Sequence, residues 1–126
     1  MASSAQVYSD FQKEIREREM EILLHLGWHG DISGIECEDL LRGLIPGSYL
    51  LREGEREFQY YLSFVLGDPF SFKHQPFLIV KDHSQIIWGY RNGAHRWIST
   101  LDSLIPMVMH CALDQCYPLQ KKTDGN

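Results

Sequence analysis

Arg52 stands where an arginine is costly. It closes the apolar stretch Tyr49, Leu50, Leu51 within Gly47-Ser48-Tyr49-Leu50-Leu51-Arg52-Glu53, which a turn at Pro46-Gly47 opens. Such a stretch reads as a strand buried on both faces. A guanidinium pointing into that interior costs several kcal/mol unless an internal carboxylate or an external anion answers it, and a small domain has little more stability than that in total. An external anion would make Arg52 a binding residue. Other chemistry is thin. The pair His25-x-x-x-His29 could share a helical face, but no cysteine or acid stands near it at metal-ligand spacing, so no metal is expected. His110 and Cys111 are sequence neighbours on a helix and do not face each other, so they make no catalytic pair. The expectation is a binding protein, not an enzyme, with no cofactor.

The elements that must position Arg52 are legible from periodicity. Phe11, Ile15, Ile22 and Leu26 recur near helical spacing among Lys13, Glu14, Arg16, Glu17, Arg18 and Glu19, which predicts a helix over 9–26 capped by Ser9 or Asp10. Its apolar stripe suits either docking on the domain or meeting a partner. A second helix is expected over 33–42, closed by Gly43. Strands are predicted over 48–52, 58–66 and 70–74, joined by turns at Gly54 and Gly67-Asp68-Pro69 as an antiparallel meander. Further short strands are expected over 77–81 and 85–90, with Arg91-Asn92-Gly93 a turn. A last helix over 100–112 takes Ser99 or Thr100 as its cap and carries Pro106 awkwardly inside.

The chain has 126 residues, 44% of them hydrophobic, enough for one core and too few for two. Its net charge of -5 argues against a general nucleic-acid or anionic-membrane surface, so any phosphate site must be local. No apolar run approaches a membrane span and no leader pattern opens the chain. Cys37, Cys111 and Cys116 form an odd set without metal or redox spacing. They are expected as buried reduced thiols, which suits a cytosol.

From Trp28 onward the chain resembles a Src homology 2 domain, the phosphotyrosine-binding module. The resemblance rests on Trp28-His29-Gly30-Asp31-Ile32-Ser33, an acidic helix with Glu36, Glu38, Leu40 and Leu41, and the strand from Gly47 to Glu53. Tyr60-Tyr61-Leu62-Ser63-Phe64, Phe72-Lys73-His74, the segment from Ile98 to Ile105 and Cys116-Tyr117-Pro118-Leu119 follow in order. It implies an α+β fold, a central antiparallel sheet flanked by two helices, here with an extra amino-terminal helix. Residues 1–27 are then the helical extension, 28–120 the domain and 121–126 a disordered tail.

The resemblance also implies a site. Phosphotyrosine carries close to two negative charges and three acceptor oxygens, which a rigid guanidinium matches. Arg52 would take two phosphate oxygens, with the loop through Gly54, Glu55 and Arg56 wrapping the phosphate by backbone N–H groups and Ser63, Lys73 and His74 completing the pocket. Three departures stand out. Gly54 replaces a customary serine, Gly34 the customary second arginine, and Pro76 a later basic residue. His29, His74, Lys73 and Arg56 are the available compensating donors. Gln75 is expected to face the peptide beyond the phosphotyrosine, and Trp88, Tyr90 and Trp97 either to line or to fill the pocket that reads it.

The implied function is phosphotyrosine-dependent binding of tyrosine-phosphorylated proteins or peptides, as an adaptor or targeting module of the eukaryotic cytosol, or of a host's cytosol for a pathogen protein. The rival class is a domain of the same fold that no longer reads phosphate and serves intramolecular packing or dimerisation, motivated by Gly34, Gly54 and Pro76. Arg52 argues against it, because a buried arginine without a ligand costs stability that a methionine or leucine does not.

Overall fold

Strand alternation sorts the sheet into two unlike faces, and both are needed to understand the site. The computed structural model describes residues 4–67, 71–111 and 113–121. Strands β1 (Ser48–Glu53), β2 (Gln59–Leu66), β3 (Ser71–Asp82), β4 (Gln85–Asn92), β5 (Ala94–Ile98) and β6 (Tyr117–Pro118) form one sheet in the order β5-β4-β3-β2-β1-β6. The first five make the expected antiparallel meander, and the short β6 adds one parallel pair at β1, so the sheet is mixed. Helices α1 (Ser4–Leu23), α2 (Gly34–Leu41) and α3 (Leu101–Met109) complete the α+β architecture, with α1 as the extra amino-terminal helix.

One face carries most of the apolar burial. Leu51, Leu62, Phe77, Trp88, Leu101, Leu104 and Ile105 are nearly or fully inaccessible and pack with Ile22 of α1. Polar groups of α1 fasten it to this face. Glu21 accepts from Trp88 Nε1 at 3.0 Å and from the Leu101 backbone N–H at 2.6 Å, while Arg18 donates to the Ser99 carbonyl at 3.1 Å. The stripe predicted to dock or to meet a partner is therefore docked through Phe11, Ile15 and Ile22, whereas Leu24 and Leu26 are exposed beyond the helix end. The opposite face has a smaller cluster, Cys37 and Leu41 of α2 against Leu50 and Val65.

Several boundaries differ from the sequence reading. The first helix begins at Ser4, ahead of the predicted caps. Ser33 caps α2 by accepting from the Glu36 N–H, and Thr100 caps α3 by accepting from the Ser103 N–H. The last helix stops at Met109, with His110 in the left-handed region at φ 55°. The strands predicted over 70–74 and 77–81 are one strand, β3, running through Pro76. A proline is tolerated there because β4 pairing begins only at Phe77 opposite Tyr90, so the strand has a single neighbour at Pro76. Ile79 N–H bonds to the Phe58 carbonyl, and counting back along the alternating ladder turns the Pro76 nitrogen away from β2. The β5 strand was not predicted, and Arg91-Asn92-Gly93 turns into it with Gly93 at φ 75°.

The cysteine expectation needs correction. Cys111 and Cys116 are disulfide-bonded, and only Cys37 is a free thiol among the described residues. The left-handed turn at His110 and the 3-10 turn Leu113–Gln115 fold the chain back so that the two Cα atoms lie 6.5 Å apart, within disulfide reach. The cysteines thus no longer speak for a reducing compartment. The turn at Gly67-Asp68-Pro69 lies partly outside the described residues, as does all of the expected tail except Lys121.

Candidate functional site: a buried arginine with free donors

Arg52 is 8% exposed, on the α2 face of β1. Register explains its neighbours. Leu50, opposite Ser63, and Arg52, opposite Tyr61, share a face, and Ser63 lies opposite His74 on β3. Arg52 Nε donates to Ser63 Oγ at 3.2 Å, and Nη2 lies 3.3 Å from His74 Nδ1. The guanidinium carbon lies 4.3 Å from the Tyr61 ring centroid, a cation–π contact that holds the fork flat.

His74 joins the sheet to α2. Ser63 Oγ is 2.7 Å from His74 Nδ1, and His74 Nε2 is 2.7 Å from Glu38 Oε2 of α2. Nδ1 therefore meets both the serine hydroxyl and the guanidinium, while Nε2–H donates to the Glu38 carboxylate. Cys37 lies beside this group. Burial pushes its thiol above the usual value, only partly offset by Ser63 and Arg52, so it contributes a neutral sulfur and no anion.

No carboxylate pairs with Arg52 among the described residues. Beyond the two N–H groups engaged by Ser63 and His74, the guanidinium donors have no oxygen acceptor there. Gly34, the first residue of α2, lies beside the guanidinium: a β-carbon at that position would sit 3.8 Å from Arg52 Nη2, in ordinary contact. The internal carboxylate that could have answered Arg52 is therefore absent among the described residues.

The loop after β1 is shaped by Gly54, whose N–H bonds to the Gln59 carbonyl at 2.8 Å. A β-carbon on Gly54 would come within 2.6 Å of that carbonyl oxygen, so the hairpin closes too tightly for a serine here. Glu55, Arg56 and Glu57 are exposed between the strands, and no internal acceptor takes their backbone N–H groups among the described residues. The structure thus brings Arg52, Ser63 and His74 together at the base of a loop with free amides. Lys73 is exposed and by alternation belongs to the opposite face, and exposed Arg56 has no ion pair among the described residues.

The residues expected to read the peptide are dispersed. Gln75 is 8% exposed on the face opposite His74 and donates to the carbonyls of Pro76 and Arg91 at 3.1 and 3.2 Å. It serves the Arg91 carbonyl that a residue with an N–H at position 76 would have met across the sheet. Trp88 is fully buried, with its ring edge-on to Tyr60 and Phe77. Tyr90 is buried at the rim of a cleft beneath α3, and Trp97 is 43% exposed on β5. His29 is committed elsewhere, with Nε2 at 2.6 Å from the Leu119 carbonyl.

Sequence reasoning missed two members of the cluster. Glu38 was legible only as one acid on an acidic helix, because its reach to His74 depends on how α2 packs. Tyr61 was visible in a strand motif, and the alternation that places it opposite Arg52 was its only signal.

The α+β sheet thus carries a buried arginine with no carboxylate partner among the described residues, next to a loop whose amides have no internal acceptor there. The family follows from sequence comparison: a model described as the SH2 domain matches residues 28–107, and the chain belongs to that family. No curated protein matches the chain. SH2 domains are binding modules for phosphotyrosine peptides in signalling, and no helix among the described residues is long and apolar enough to cross a membrane.

Proposed function

We propose that the protein binds tyrosine-phosphorylated proteins as an adaptor or targeting module, with Arg52 gripping the phosphate and no catalytic step. The observation that carries the reading is the guanidinium of Arg52, held rigidly by Ser63, His74 and Tyr61 with donors still free and no carboxylate beside it among the described residues. A dianionic phosphate meets that need, and the amides of Glu55, Arg56 and Glu57 supply further donors. A buried arginine so deep favours the long phosphotyrosine side chain over phosphoserine. In this reading residues 28–120 are the module, 1–27 an extension that braces it, and the cytosol the place of action.

Calorimetric titration of the full chain tests this with a tyrosine-phosphorylated peptide, its unphosphorylated counterpart and free phosphotyrosine. Binding that depends on the phosphate is expected, and equal affinity for the phosphorylated and unphosphorylated peptides would overturn the reading.

A further inference from the structure

We propose that the cleft between β5 and α3 selects peptides with an acidic side chain downstream of the phosphotyrosine, through Arg96. This rests on the phosphotyrosine reading of the Arg52 pocket and names the class of ligand that pocket receives. A bound peptide has a path from one face to the other. Because β4 pairing starts at Phe77, the segment of β3 from Ser71 to Pro76 has an open side, and an extended chain leaving His74 crosses there.

On the far face it meets a cleft of about 560 Å³ lined by Tyr90, Asn92, Arg96, Pro106, Met107 and His110. An adjoining hollow of about 460 Å³ shares Arg96 and Met107 and reaches Trp97. Arg96 lies opposite Tyr90 in the β4–β5 ladder, so it faces α3 across this cleft. The cleft is shallow because the large side chains that could have formed a deep apolar hole are spent in the core: Trp88 is fully buried and Tyr90 is 5% exposed.

Charge then decides what it takes. On a chain of net charge -5, Arg96 stands exposed on the β4–β5 hairpin with no ion pair among the described residues, and His110 lines the same cleft, whereas Arg91, opposite His95, belongs to the other face. Asp114, exposed in the 3-10 turn next to Gln115, is the carboxylate nearest in sequence to the cleft lining. Arg96 with His110 offers charge-assisted donors to a carboxylate, while exposed Met107 and half-buried Pro106 receive its aliphatic stem.

Phosphotyrosine peptides with alanine, glutamate, isoleucine or lysine at each of the first four positions after the phosphotyrosine should be titrated against the full chain, Arg96→Ala and Arg96→Glu. Arg96 is exposed, so both variants keep the fold. The expected result is about fivefold to tenfold tighter binding with glutamate than with alanine at one or more positions, lost in Arg96→Ala and replaced by a lysine preference in Arg96→Glu. Free phosphotyrosine should bind all three proteins alike. Equal affinity for glutamate and alanine peptides, or tighter binding of isoleucine peptides, with phosphate-dependent binding intact, would overturn this inference and leave the Arg52 reading standing. Absence of phosphate-dependent binding would overturn both.

Discussion

The two faces of the sheet are built on opposite terms. The face under α1 and α3 buries Trp88, Phe77, Leu62 and Ile22 in a continuous apolar cluster, and its few polar contacts, such as Glu21 with Trp88, fasten helices in place. Among the described residues the α2 face has a smaller core, Cys37, Leu41, Leu50 and Val65, and gives the remaining room to Arg52, Ser63, His74 and Glu38. A cation is tolerated there because the other face supplies most of the stability. The lesson is a division of labour: hydrophobic area holds the fold on one side and frees the other to hold polar groups in reach of a ligand.

The sharpest way to break this comparison is one substitution on each face. Trp88→Ala should cost about 3–5 kcal/mol in urea unfolding, since it empties a fully buried ring and strips Glu21 of a donor. Arg52→Ala should change stability by less than about 1 kcal/mol, because the loss of two hydrogen bonds is set against the removal of a buried cation with no carboxylate partner among the described residues. The same change should weaken phosphopeptide binding by about a hundredfold or more, each charge-assisted hydrogen bond being worth roughly 1.5 to 3 kcal/mol. A tryptophan change that spared the fold, or an arginine change that destroyed it, would erase the distinction.

Smaller changes sharpen it. Glu21→Gln should cost about 1–2 kcal/mol in the same unfolding experiment, because it weakens the bond to the first turn of α3 and the Trp88 bond together. On the α2 face, Glu38→Gln should tighten phosphopeptide binding by about 1 kcal/mol, roughly fivefold by calorimetry, by removing a negative charge beside the incoming phosphate. Weaker binding in that variant would instead make Glu38 the residue that orients His74. The smallest effect is a pH dependence from His25. Burial lowers its pKa from 6.5, outweighing the attraction of Asp102 and Glu21, and its Nδ1 must be unprotonated to accept the Gly27 N–H at 3.0 Å. The unfolded chain takes up that proton first, so the stability is fully present above pH 6.5 and is lost as pH falls through the lowered folded value. Urea unfolding between pH 7 and pH 5 should show this decline, and His25→Gln should flatten it.

What the sequence disclosed follows from where local rules hold. Arg52 was legible because a charge ending an apolar run violates its pattern, and violations mark function. The helices and β1, β2 and β4 were legible from periodicity, with boundary errors at turns whose closure depends on tertiary contacts. Three features escaped. Proline ordinarily ends a strand, and Pro76 reads as such an end until the open side of β3 is known. The β5 strand, Ala94–Ile98, is exposed along most of its length and so lacks the alternation that would announce a strand. The Cys111–Cys116 bond depends on a left-handed turn at His110, a conformation that no residue type there demands.

Within the site, Ser63 and His74 could be placed by their order along the family pattern, whereas Glu38 and Tyr61 needed the register and the packing of α2. The loop shows the limit from the other direction. Gly54 reads in the sequence as a missing hydroxyl, but in the fold it is the residue that lets the hairpin close against the Gln59 carbonyl.

The most direct test of the central claim is calorimetric titration of wild type and Arg52→Ala with one phosphotyrosine peptide, each protein's urea unfolding being recorded in parallel. Phosphate-dependent binding by wild type, a loss of about a hundredfold or more in the variant, and nearly unchanged unfolding are expected. Equal binding by the two proteins, or a variant that loses binding only because it unfolds, would contradict that claim.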